Sequence, residues 1–283
     1  MRGKKFLTIG VAAATAATVC AAAVVEAGPA SAVGAVPVIT VHVGGGKMIL
    51  SSGNTLHAGR ITFRGVTGNG AHGLQIVRLH HGYTPQDAVS DTNKAFRGDL
   101  DAIKRVDTRM TWRGGALVRP HKPGIFTVTL RAGVFYFVDQ NSRAAAKVTV
   151  VGQVPARAGI AHQSTVDAFS YGFETSPNPH AIPASGTMHF FNHADQPHFV
   201  EIQRVKDGTT ARQVRRALSP TAQTQPTFLM PAHFSTSVVS PNFGEMVQYN
   251  LPRGEYLFAC FWPDRLTGMP HAFMGMWKLV QLT

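Results

Sequence analysis

The sequence predicts an all-β protein of two tandem β-sandwiches, each with a short inserted helix, and three observations lead there. The two halves of the chain align with each other over about eighty residues, in order and with few gaps. Short runs rich in aromatic and β-branched residues recur between glycine and proline turns. A threonine-led helix start stands at the corresponding place in each half.

The alignment is specific. Ala71–Leu79 (AHGLQIVRL) matches Pro197–Val205 (PHFVEIQRV) at an offset of 126, and Gly82 and Thr84 then fall on Gly208 and Thr210. Leu130, Gly133, Phe135 and Phe137 match Leu251, Gly254, Tyr256 and Phe258 at an offset of 121. Upstream, Gly59 and Phe63 match Gly186 and Phe190. Each copy therefore reads as extended segments ending at a histidine-led strand, a glycine turn, a helix, then two late strands. Thr84-Pro85-Gln86-Asp87 and Thr210-Ala211-Arg212-Gln213 open the helices, because threonine caps and the group three residues on bonds back. The first helix is expected to run to about Val106 with a break near Gly98; Pro220 stops the second. Expected boundaries are 36–152 and 160–283, with a linker punctuated by Gly152, Pro155 and Gly159.

The chain has 283 residues, 44% apolar and 15% charged, which excludes intrinsic disorder. Arg2, Lys4 and Lys5, an apolar stretch from Phe6 to Val25 and Ala30-Ser31-Ala32 make residues 1–32 read as a Sec-type signal peptide. An uncleaved anchor is the competing reading, since about twenty apolar residues just span a bilayer; the Ala- and Thr-rich composition weighs against it. Val19 before Cys20 argues against lipid attachment, and no twin arginine is present. No later segment is long and apolar enough to cross a membrane, so a secreted protein is expected. It would retain one cysteine, Cys260, where an unpaired thiol is a liability unless it is buried, paired with a partner or used as a metal ligand.

Four soft or borderline groups gather late in the chain: His198 after Pro197, Cys260 at a strand end, His271 in the following loop, and Met276 five residues further. Two imidazoles, a thiolate and a long thioether are the ligand set of a blue-copper site. Phe191-Asn192-His193-Ala194-Asp195-Gln196-Pro197-His198 resembles the segment that carries the first histidine of plastocyanin-type cupredoxins. Gly254–Cys260 (GEYLFAC) resembles the strand that delivers the cysteine, and Met269–Met276 (MPHAFMGM) the loop that closes the site. The resemblance covers 160–283 well and 36–152 as a degenerate copy. It implies two cupredoxin-like Greek-key sandwiches and one copper per chain, bound by His198, Cys260, His271 and Met276.

There are departures from that pattern. Ten residues separate Cys260 from His271, nearer the long loop of copper nitrite reductases than that of small carriers. Phe199 stands where small blue copper proteins usually have an asparagine tying the ligand loops together, and Phe261 follows the cysteine. Phe199, Phe261, Phe273 and Trp277 are expected to wall the site, with an exposed edge of His271 as the electron port. Met274 competes with Met276 as axial ligand, and zinc accepts the same Cys-His-His set. In the first half Asp139 replaces the cysteine and residues 140–151 hold neither His nor Met, so only His72 remains.

An enzyme is not expected. Ala259 and Phe261 flank the cysteine where oxidases and nitrite reductases carry a histidine, no His-x-His occurs, and G-x-S-x-G, P-loop and C-x-x-C motifs are missing. His80-His81 is a poor chelate, and His189 and His193 read either as a loading site or as a solvated loop. The chain carries 27 basic and 15 acidic groups, and the excess is uneven: 15 against 6 in residues 33–152, but 9 against 8 in 153–283. The basic half suits an anionic cell-surface polymer or an acidic partner, or is only a solubilising surface; no motif supports nucleic acid. The function expected is single-electron transfer with a redox partner protein. The alternatives are copper carriage between a donor and an acceptor, or a metal-free extracellular interaction module.

Overall fold

The fold was obtained as a computed structural model, and it describes residues 36–142, 144–154, 160–222 and 226–283. The expected signal peptide with Cys20 and most of the expected linker lie outside the described residues.

The first half contributes nine strands: β1 (Val38–Gly44), β2 (Lys47–Leu50), β3 (Thr55–His57), β4 (Gly59–Val66), β5 (His72–Leu79), β6 (Met110–Val118), β7 (Gly124–Leu130), β8 (Gly133–Asp139) and β9 (Ala145–Val151). They form two layers, β2-β1-β4-β7 and β3-β9-β8-β5-β6. The second half repeats the plan with β10 (Ser164–Phe169), β11 (Gly172–Ser176), β12 (Ser185–Asn192) and β15 (Gly244–Asn250) in one layer. Its other layer holds β14 (Leu229–Ser235), β13 (Glu201–Val205), β16 (Gly254–Ala259) and β17 (Trp277–Leu282). These are two β-sandwiches. Period-two alternation fills each: in β4, Ile61 and Phe63 are buried while Arg60, Thr62 and Arg64 face outward.

Both sequence offsets reappear as strand register. In the first half β5 pairs with β8 as Gln75↔Val138 and Ile76↔Phe137. In the second, β13 pairs with β16 as Glu201↔Ala259 and Ile202↔Phe258, each residue shifted by its own offset. A one-residue slip would turn every inward side chain outward, so the hydrophobic pattern fixes this register in both halves.

The helices differ from expectation in number. The first half carries a hairpin of two, α1 (Pro85–Ala95) and α2 (Leu100–Arg109), rather than one. Thr84 and Asp87 form the capping box of α1, and Asp99 Oδ1 accepts from Ala102 N at 2.9 Å to start α2. Between them Gly98 takes φ +83°, which allows the reversal. The second half has α3 (Ala211–Ala217), capped by Thr210 and Gln213.

The halves are fused rather than strung apart. β7 pairs with β15 through Thr127↔Met246 and Phe126↔Val247, so one layer of each half joins into an eight-stranded sheet. At the same seam Glu245, fully buried, accepts from Gly115 N at 2.7 Å and Ser237 N at 2.9 Å. Burial pushes its carboxyl up to about 8 against those two bonds. Among the described residues no helix is long and apolar enough to cross a membrane.

Candidate metal centre

Three segments converge at one end of the second sandwich. His198 precedes β13 and is held in a two-way backbone bridge to Val239, His198 N to Val239 O at 3.1 Å and Val239 N to His198 O at 2.8 Å. Cys260 follows β16, and its N–H donates to Met276 O at 3.1 Å. His271 opens a single 3₁₀ turn (His271–Met274), with its N–H on Trp262 O at 2.9 Å. Gly275 ends that turn at φ +107°, and Met276 N returns to His271 O at 3.0 Å. The loop is thus closed on itself by backbone bonds before any ligand is considered.

The donor atoms form a small triangle. Cys260 Sγ lies 3.5 Å from His198 Nδ1 and 3.8 Å from His271 Nδ1, and the two Nδ1 atoms are 3.1 Å apart. A point equidistant from all three is about 2 Å from each, the bond length of a first-row metal to imidazole (about 2.0–2.1 Å). All three residues are buried, and the far nitrogens, both Nε2, have no partner. Among the described residues this is the one cluster of three such ligands able to hold an ion. The donor set, two imidazoles and a thiol, therefore fits a soft or borderline transition metal.

Burial tunes the trio toward neutrality. It pushes the Cys260 thiol up to about 12, against N–H groups of Phe199 and Trp262 that favour the thiolate. Burial, then the neighbouring His271, lowers His198 to about 3; burial lowers His271 to about 4 against the fields of Asp264 and Asp195. Neutral imidazoles are ready donors, and a bound cation supplies the charge that would make the thiolate favourable.

The two candidate thioethers separate clearly. Met276 is fully buried in the same core cluster as Cys260. Met274 is 37% exposed, its sulfur 3.9 Å from the Thr267 hydroxyl.

Two features of the site carried no sequence signal. The first is the tie between the ligand loops. Gln196 Nε2 and the Tyr171 hydroxyl both donate to Asp264 Oδ2, at 3.0 and 2.9 Å, and Gln196 Oε1 accepts from Arg265 N at 2.9 Å. Asp264 Oδ1 caps the turn through Leu266 N, Thr267 N and the Thr267 hydroxyl. Burial raises the Asp264 carboxyl, but bonds from Gln196, Thr267 and Tyr171 outweigh it and hold the group well below the usual range. Fully buried Asn192 adds Nδ2 bonds to Gln196 O and Val239 O at 2.8 and 2.9 Å. These residues do the tying that Phe199 cannot.

The second is the cover. An exposed His271 edge was expected; His271 is instead fully buried, its ring edge-on to Tyr171 at 5.3 Å. Trp262, also fully buried, meets Trp112 of β6 at 5.6 Å and Phe96 at the end of α1 at 5.4 Å. Phe96 further contacts Phe199 at 6.3 Å, and the α1–α2 corner at Gly98 packs against Gly268 of the ligand loop. The first half therefore closes the second half's site. The expected wall holds in part: Phe199 belongs to it and Phe261 packs against both the core that holds Cys260 and the satellite core around α3, whereas Phe273 and Trp277 pack on the satellite core alone.

In the first half the equivalent place is filled by polar chemistry. His72 Nδ1 is 2.7 Å from Asp139 Oδ2, and Asp139 Oδ1 accepts from Gly73 N and Asn141 N at 3.0 and 3.1 Å. His72 Nε2 lies 3.0 Å from Asn69 O. His189 and His193 do not assemble a comparable trio: His193 stacks on Phe169 at 4.9 Å with Nε2 on Asp167, while His189 lies near His162.

No family model matches the chain, and no curated protein matches it either. Solved structures are similar at low identity. The dithionite-reduced auracyanin of Roseiflexus castenholzii is 18% identical over 42% of this chain and 94% of its own, with a TM-score of 0.27. Auracyanin A, a blue copper protein of Chloroflexus aurantiacus, is 17% identical over 42% and 98%, TM-score 0.26. The copper-containing nitrite reductase of Thermus scotoductus SA-01 is 12% identical over 88% and 62%, TM-score 0.25.

Proposed function

We propose that the chain is a copper protein with one type 1-like copper, which His198 Nδ1, Cys260 Sγ and His271 Nδ1 would hold together with Met276. The observation that supports this most is the buried triangle of three donors whose common centre lies about 2 Å from each. Copper, when bound, supplies a one-electron couple between Cu(I) and Cu(II). The chain's own residues do the rest. Gln196, Asp264, Tyr171 and Asn192 hold the ligand loops in one geometry, which limits rearrangement between oxidation states. Trp262, Phe96, Trp112 and Phe199 exclude water.

The role that follows is single-electron transfer outside the cytoplasm, after removal of residues 1–32, with a redox protein as partner and no substrate turnover. Domain limits of 36–152 and 160–283 go with that reading. A second reading has a specific observation behind it: with His271 fully buried, the site also suits a holder or carrier of copper without turnover. The basic first half suits an anionic cell-surface polymer.

The test is an optical and EPR titration of the protein with Cu(II), beside Cys260→Ser. An intense visible thiolate-to-copper band that saturates at one copper per chain and is missing in the variant supports the reading. No band overturns it. Reversible one-electron reduction of the loaded protein then separates transfer from carriage.

A further inference from the structure

A second site lies far from the triangle in sequence and rests on different chemistry. Between Ile76 and Val77 of β5 the partner strand β6 gains a residue: Ile76 pairs with Gly114 but Val77 with Trp112, which leaves Arg113 as the extra residue of a β-bulge. Bulges bend a strand and re-aim a side chain. Gly114 takes φ +118°, a value strained for any other residue, and a Cβ there would meet the Glu245 carboxylate. The bulge sends Arg113 across the seam between the halves. Its guanidinium lies 3.6 Å from the centroid of Phe243, and its Nη2 donates to Thr129 O at 2.6 Å.

This cation is poorly served. Its Nε–H is buried with no acceptor. Its charged neighbours are Arg131 and Arg78, both like-charged, and burial together with those two disfavours its charged form. Arg78 brings its Cζ within 4.0 Å of a Cβ position on Gly133, and Arg131 sits two residues before that glycine, next to the end of β7. All three arginines therefore gather at the β7–β8 turn. Among the described residues none has an ion pair, and Arg78 and Arg131 have no hydrogen-bonded partner. The same half shows what a satisfied arginine looks like: Arg105 grips both oxygens of Asp91 at 2.7 and 2.8 Å. A partly buried cation beside two like charges is costly unless an anion compensates it.

We infer that Arg78, Arg113 and Arg131 form a binding site for a phosphate-type oxyanion. Guanidinium forks match the tetrahedral oxygens of such a group, and a rigid, stacked arginine at the centre loses little freedom on binding. The inference is independent of the metal site. The anion has two possible sources, free inorganic phosphate or a phosphate unit of a polymer, and the two share this chemistry.

The experiment uses the full chain with inorganic phosphate and with a short polyphosphate, by calorimetry and thermal shift at ionic strength matched with chloride. Binding of phosphate is expected, and the exposed double variant Arg78→Gln/Arg131→Gln should weaken it at least tenfold while melting no lower in phosphate-free chloride. Polyphosphate binding at least tenfold tighter per chain than phosphate identifies a polymer as the source, and equal affinity identifies the free ion. Absence of any phosphate response beyond matched chloride, or a response unchanged in the double variant, overturns the site. An unaltered copper titration in the same variant keeps this outcome separate from that of the metal reading.

Discussion

His72 with Asp139 in the first half, and His198 with Cys260 in the second, stand at matched positions of the repeat, the first pair at the ends of β5 and β8 and the second just outside β13 and β16. The pairing of β5 with β8 and of β13 with β16 is the same in register, so the backbone offers each pair the same relation. The outcomes diverge because of two local differences. A carboxylate accepts from Gly73 N, Asn141 N and His72 and satisfies itself, whereas a buried thiol leaves two imidazoles turned toward it. The connection after Asp139 spans residues 140–144, whereas that after Cys260 spans 261–276 and has room to bring His271 and Met276 back. One frame thus becomes a polar clasp in one copy and a candidate metal centre in the other, through the side chain at one position and the length of one loop.

A large expected effect tests whether those two places are separable. Copper at about a thousand times its Kd should stabilise the protein by about 4 kcal/mol, since it binds only the folded site. Thermal unfolding with and without Cu(II) should show this rise in the wild type and in Asp139→Ala, and none in Cys260→Ser. A rise lost in Asp139→Ala would mean that the clasp and the centre are not independent.

Asp139→Ala should itself cost about 3 kcal/mol in metal-free protein, because it strands three hydrogen-bonding groups around a buried position. Denaturant unfolding measures it. Asp139→Cys sharpens the comparison further. It sets a thiol beside His72 but supplies no third donor, so Cu(II) should give no additional thiolate band. A second band would show that the long loop is dispensable.

Much of this contrast was legible in the sequence because it is written in side-chain type and period. The offsets of 126 and 121, both threonine caps and the break at Gly98 all depend on neighbours in the chain. His198, Cys260 and His271 could be named because few chemistries use that set. What stayed hidden was contact between distant segments. Nothing near Phe96 or Trp112 indicates that they cover Trp262 more than a hundred residues away, so the His271 edge was expected to be exposed. Asp264 belongs to no motif, and Gln196 stands in the first-histidine segment without a function of its own there; the tie between them appears only when two loops meet. Arg113 was one basic residue among many until the bulge re-aimed it.

The seam between the halves gives a pH test of how tightly they are joined. Glu245 has its carboxyl raised from 4.5 to about 8 by burial. A raised acid favours folding below its unfolded pKa and loses that contribution as pH climbs toward the folded value. The loss is about 1.4 kcal/mol per pH unit between 4.5 and 8. Glu245→Gln removes the ionisation but turns an amide NH2 toward one of the two backbone N–H groups, so it should be less stable than the wild type near pH 4.5 and gain on it steadily toward pH 8. Urea unfolding at both pH values checks this. A constant difference would mean that Glu245 is ionised in the fold and that its two backbone bonds outweigh its burial.

The smallest effect concerns two methionines within one loop. Met276→Leu conserves volume in a fully buried place, so its cost in stability should stay below about 1.5 kcal/mol. Its effect should instead appear in the metal: a shifted reduction potential if the centre transfers electrons, or weaker copper affinity if it only carries the ion. Met274→Leu changes a side chain that is 37% exposed and turned toward Thr267, so both quantities should stay at wild-type values. Potentiometry and a copper competition titration on the two variants decide the matter. If Met274→Leu moves either quantity while Met276→Leu moves neither, the axial assignment reverses. The loop would then have to reorganise around Gly275, whose left-handed φ of 107° is the position best able to permit it.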